Sequence, residues 1–151
     1  MAETEAVIDI ESIQLESGGH EKPEDGMCVM EAFTYVNRLP FSDQPECVCP
    51  TLAAFLRHWN DEAVDADRQE LKRYIPRLMG TNDGKSDARA WLLIDCLLRE
   101  RLPEVLDTID DAKAKECAAR LRGLSQIKGG AELELAILFI NATRALDLDL
   151  A

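Results

Sequence analysis

Aromatic, basic and imidazole side chains are all scarce in this 151-residue chain. Phe, Trp and Tyr make up 5% of it, and 17 Lys and Arg stand against 29 Asp and Glu, a formal net charge of −12. That balance excludes a basic face for duplex DNA or an anionic membrane. No apolar run approaches the ~18 residues of a transmembrane helix. Gly18-Gly19 and Gly129-Gly130 lack the Lys-Ser/Thr or G-x-G-x-x-G context of a phosphate loop, and H-E-x-x-H and G-x-S-x-G are absent. No internal repeat or long low-complexity stretch interrupts the chain. Met1-Ala2-Glu3-Thr4-Glu5 is acidic where a secretory leader is basic. The five cysteines, an odd number, fit reduced thiols in a cytoplasm better than a secreted disulfide framework.

The chain is apolar enough, at 46%, to bury a core. Its acidity is uneven. Residues 1–50 hold 11 acids and 2 bases, residues 51–130 hold 14 of each, and residues 131–151 hold 4 and 1. The middle is an ordinary mixed-charge surface, and the front is either a solvated tail or an acidic face for a basic partner.

Residues 1–6 are expected to be disordered. Ile8 and Ile10 alternate, then Ile13 and Leu15 alternate in the opposite phase. A bulged strand, an irregular arm and a helix all fit that slip. Residues 16–26 carry turn chemistry. Met27 to Asn37 reads as a first helix, with Met30, Phe33 and Thr34 on one face. Pro50 suits a helix start, and Leu52, Phe55, Leu56 and Trp59 form an amphipathic stripe. Asp65 or Asp67 can cap a third helix, which Pro76 should kink or divide. Ser86 can cap a helix whose Trp91 to Leu98 segment is apolar on most sides and so central. Pro103 should end it and can open a short helix. Asp110 can cap the next, with Ala114, Cys117, Leu121 and Leu124 as its stripe. A last helix, Glu132 to Leu146, should be largely buried. The fold class expected is all-α, a compact bundle of about six helices, with residues 1–15 as an acidic arm or short strand and 16–151 as one helical domain.

The residues with chemistry cluster early. His20, Cys28, Cys47 and Cys49 supply three thiols and an imidazole, a sufficient set for a tetrahedral structural zinc. Against this, Cys47-x-Cys49 is shorter than a usual zinc knuckle, and free thiols are the plainer reading. Cys28 also lies near a helix start, where the dipole lowers a thiol pKa. Only His20 and His58 could serve it as a base, and His58 falls off the apolar stripe. Glu31 and Asp95 sit in apolar surroundings and need partners there; arginines such as Arg57, Arg77 or Arg89 are the expected ones.

Several runs resemble a family of short, uncharacterised proteins from actinobacteria and their phages. They are Gly26-Met27-Cys28-Val29-Met30-Glu31-Ala32, Ser42-Asp43 with Pro45 and Cys47, Ala54-Phe55-Leu56-Arg57 with Trp59-Asn60-Asp61, and Tyr74-Ile75-Pro76-Arg77-Leu78 with Gly80-Thr81. The resemblance spans roughly residues 15–95. It implies a phage or mobile-element setting and no particular activity. Where the family pattern has a histidine between Asp43 and Pro45, this chain has Gln44, one fewer metal ligand.

The expected function is a non-enzymatic acidic interaction protein, a monomer or homodimer. Glu16, Glu21, Glu24, Asp25, Asp43 and Glu46 would contact a protein partner with a basic surface, in one version an inhibitor occupying a nucleic-acid-binding site. No cofactor, direct nucleic-acid contact or membrane is expected. The alternatives are a small zinc-stabilised module and an enzyme using the loop region around Cys28, Glu31 and Asp43.

Overall fold

A computed structural model of the chain describes residues 8–144. The expected disorder of residues 1–6 and the end of the expected last helix, 145–146, lie outside them. Every regular element among the described residues is helical, so the fold is all-α, and none of its helices is long and apolar enough to cross a membrane. The chain gathers into two compact units, Met1–Ser86 and Asp87–Ala151. That boundary falls inside the single helical domain read over 16–151.

In the N-terminal unit, short 3₁₀ turns at Ile10–Ser12 and Pro23–Asp25 precede α1 (Val29–Val36), α2 (Pro50–Glu62) and α3 (Asp65–Gln69). A 3₁₀ helix, Glu70–Arg77, continues α3. Residues 8–15 form no strand. They are the irregular arm, and Ile13 and Leu15 close onto the core instead of standing apart. The central helix of this unit is α1, whose Val29 through Thr34 are all buried. Phe33 and Met30 are fully enclosed, worth about 2–3 kcal/mol each against exposure. Pro50 opens α2 as its spacing implies. Neither Asp65 nor Asp67 caps α3; Val64 holds that position without a side-chain bond. Pro76 falls inside the 3₁₀ stretch, one residue before its end, where it has no N–H to donate to the preceding turn.

In the C-terminal unit, α4 (Ser86–Cys96) runs through a π turn, Leu97–Arg101, into α5 (Leu102–Asp107). α6 (Ala112–Arg122) and α7 (Gly130–Arg144) follow. Pro103 does not end the helix. The wider π turn before it accommodates a ring that an unbroken α-helix would drive into the preceding turn. Asp111, not Asp110, caps α6, accepting from the N–H groups of Lys113 (2.8 Å) and Ala114 (2.9 Å). The expected stripe of Ala114, Cys117, Leu121 and Leu124 is buried, with Leu106, Ala118, Ile127 and Ala136 around it. α4 and α7 differ from expectation. In α4 only Asp95 is buried, and α7 buries Ala136 while Leu135, Ile137 and Leu138 face solvent. Each is apolar on more sides than its unit covers.

Candidate functional site

Polar residues from the first half of the chain converge around one short loop. Glu31 lies at the third position of α1, is 2% exposed, and collects three donors. Its Oε1 accepts the backbone N–H of His20 at 2.7 Å. Its Oε2 accepts His20 Nδ1 at 2.8 Å and the backbone N–H of Cys28 at 2.8 Å. The reach back to Cys28 N–H is half of a capping box, with a thiol where Ser or Thr usually stands. The expected partner was an arginine; the actual partner is His20 with two amides. Burial pushes the Glu31 carboxyl up, and these bonds outweigh it and hold the carboxyl below its ordinary value.

The loop from Leu15 to His20 is anchored at almost every other residue. Gln69 donates to Leu15 O and accepts from Leu15 N–H, both at 2.9 Å. The N–H of Glu16 bonds Met27 O at 2.9 Å, and the O of Glu16 accepts Asn60 Nδ2 at 2.8 Å. The N–H of Gly18 bonds Asp61 Oδ1 at 2.8 Å. Asn60, fully buried, also accepts the N–H of Val29 at 3.1 Å and so joins loop, α1 and α2. Arg68 holds the end of α2 by donating to Asn60 O at 2.7 Å and Ala63 O at 2.6 Å. At Gly26, φ is +117°, and a Cβ there would stand 2.7 Å from His20 Nε2. Only glycine leaves room for the ring beside that backbone.

Gly18, Gly19, Cys28, Asp43, Arg57 and Asp61 enclose a cavity of about 140 Å³. Arg57 donates from Nη1 to Asp43 O at 2.8 Å, and its Nε lies 3.6 Å from the Asp43 carboxylate. Cys28 and Asp43, two residues of the enzyme alternative, therefore share a wall. The chemistry of the thiol runs opposite to the dipole argument: burial dominates and pushes Cys28 up to about 12. It is a neutral thiol at physiological pH, and the Glu31 oxygens are already occupied. The cluster is built as a brace.

The zinc set is not assembled. Among the described residues no three His, Cys, Asp or Glu side chains are gathered to hold a metal. His20 and Cys28 both turn to Glu31. Cys49 precedes α2, its N–H held by Thr81 at 3.0 Å. Cys47 lies beside a separate cavity under the Leu39 to Glu46 loop.

Of the acidic residues singled out in the sequence, Glu16, Glu21, Glu24, Asp25 and Glu46 are exposed. Glu21, Glu24 and Glu46 make no ion pair among the described residues; Asp25 has Lys22 at 3.8 Å, and Asp43 has Arg57. The sequence reading missed Asn60, Asp61, Gln69 and Arg68 as loop anchors. The only signal for Asn60 was a polar residue in step with the apolar stripe of α2. Asp95 does pair with an arginine, though with Arg99 and not one of those named: it accepts Arg99 Nη1 at 3.0 Å and the N–H of Ile127 at 2.7 Å. Burial would raise its carboxyl, and these bonds hold it low.

No family model, curated protein or solved structure matches the chain.

Proposed function

We propose that the protein acts by binding another protein through the acidic edge of its N-terminal unit, with Glu16, Glu21, Glu24, Asp25 and Glu46 meeting a basic surface and Asp43 at the margin. The observation that carries this reading is the anchoring of the loop. Four residues between Leu15 and His20 are tied to α1, α2 and α3, while neighbouring carboxylates remain in solvent. A braced backbone removes much of the ordering cost of binding, and concentrated negative charge steers a basic partner. Residues 1–86 hold 17 acids and 8 bases, so the local field is negative. The phage setting implied by the family resemblance gives a sharper form: an inhibitor whose carboxylates occupy a phosphate-binding groove on a host or defence protein.

The test is capture from a lysate of the native host on the immobilised full chain. Basic proteins should be retained at about 50 mM salt and released near 500 mM. The triple variant Glu21→Lys, Glu24→Lys, Asp25→Lys should lose them. The control triple Glu100→Lys, Glu104→Lys, Asp110→Lys, with the same net charge, should keep them. Retention of neutral or acidic partners, or equal loss in both triples, contradicts the proposal.

A further inference from the structure

α1 ends in a Schellman turn with Arg38, at φ 54°, where glycine usually stands. The N–H of Arg38 bonds Tyr35 O at 3.1 Å and that of Leu39 bonds Thr34 O at 2.9 Å. The chain that leaves this turn, residues 39–48, contains no helix or strand, yet it is pinned along its length. The N–H of Gln44 bonds Ser42 Oγ at 3.0 Å, and Arg57 donates to Asp43 O at 2.8 Å. Asn82 donates from Nδ2 to Glu46 O at 2.8 Å and from its backbone to Cys47 O at 3.2 Å. Under this loop lies a cavity of about 510 Å³. A preformed cavity of that order is the size of a small-molecule site.

Leu39, Pro40 and Pro45 give the cavity apolar walls, and the two proline rings stiffen the backbone that carries them. Ser42 and Gln44 add neutral polar groups, and half-buried Cys47 completes the lining. Glu46 is the one charged residue in the wall, and it has no ion pair among the described residues. A neighbouring cavity of about 190 Å³ shares Gln44, Pro45 and Glu46 but has Arg57 in its wall, so a cation is better placed in the first. We propose that the cavity under the 39–47 loop binds a small amine, with an apolar body against Leu39, Pro40 and Pro45 and an ammonium at Glu46. An anion of the same shape would meet Glu46 and the field of residues 1–50, which hold 11 acids and 2 bases. A cavity of this size holds a whole small molecule, where the tip of one partner side chain would leave most of it empty. The site shares Glu46 with the acidic edge and rests on no partner protein.

The experiment follows alkylation of Cys47 by iodoacetamide in the native full chain, resolved by peptide mass spectrometry. Tryptamine is the amine probe, and indole-3-propionate is the anion of like shape. Cys96, also half-buried but in the other unit, is the internal reference. A probe of this size should bind with a Kd of about 1 mM. Tryptamine at about 10 mM should then slow Cys47 about tenfold and leave Cys96 unchanged. Indole-3-propionate should slow Cys47 less than about twofold. Glu46→Gln, which keeps the backbone carbonyl that Asn82 holds, should reduce the effect of tryptamine to that of the anion. In a parallel titration with tryptamine, the backbone amide resonances of Leu39, Gln44 and Cys47 should shift with one common Kd. Equal slowing by both probes, equal slowing of Cys96, slowing that survives Glu46→Gln, or amide shifts absent at all three residues overturns the proposal. No partner protein enters the measurement, so this result and capture from the host lysate stand or fall separately.

Discussion

The two units solve the same problem with different materials. The N-terminal unit buries charge and uses it: Glu31, Asn60 and Arg68 lie inside, each with donors and acceptors matched. Among the described residues the C-terminal unit buries a single charge, Asp95, beside a core of alanines, leucines and Ile127, and leaves Leu92, Val105 and Leu138 in solvent. A polar network fixes one arrangement because each unmatched group costs more than a lost contact. An apolar surface specifies far less about what covers it. The polar unit is thus specified group by group, and the apolar side chains left in solvent in the other specify nothing about their cover.

Substitutions can break this contrast, and each unit has its own reporter in Trp59 or Trp91. The largest effect belongs to Glu31→Ala, which strands two buried amides and the ring of His20. It should cost about 3–5 kcal/mol in urea unfolding followed at Trp59 in a Trp91→Phe background. A cost under about 1 kcal/mol would mean the network is decorative. Leu121→Ala, fully buried in the other core, should cost about 2–4 kcal/mol at Trp91 through its cavity. Gly26→Ala should cost about 1–3 kcal/mol, from a backbone conformation that alanine avoids and from displacement of His20. Leu92→Ser, 59% exposed, should change stability by no more than about 0.5 kcal/mol.

Acid sharpens the comparison. Glu31 and Asp95 both lie below their ordinary values in the folded chain. The stability they give is therefore complete above the ordinary carboxylate pKa of about 4 and is lost as pH falls through the lowered folded values. Glu31→Gln should flatten the acid limb seen at Trp59 and leave the limb at Trp91 unchanged.

The helices were legible because 3.6-residue stripes and proline starts act locally: Pro50 and the Ala114 to Leu124 stripe stand where the pattern sets them, while Ser86, expected as a cap, is the first residue of α4 and bonds Thr51. Pro103 misled, since a π turn is a compromise with neighbouring packing that no local signal marks. The apolar runs of α4 and α7 implied burial, but a run records that a cover is needed and not which chain supplies it. At the site, Cys28 and Asp43 line one cavity, and Glu31 holds the Cys28 N–H without lining that cavity. Their chemistry was not legible, because the thiol's pKa is decided by burial and two of the carboxylate's three donors come from His20, eleven residues away. Long-range anchors such as Asn60 and Gln69 leave almost no mark in sequence.

The brace itself is tested most directly by amide hydrogen exchange of the full chain, native against Glu31→Gln, resolved to single residues. The N–H groups of His20 and Cys28 should be protected in the native chain and should exchange at least about tenfold faster in the variant, while the interior of α2 stays unchanged. Fast exchange at His20 in the native chain, or equal protection in both, would contradict an acidic loop held in place by Glu31.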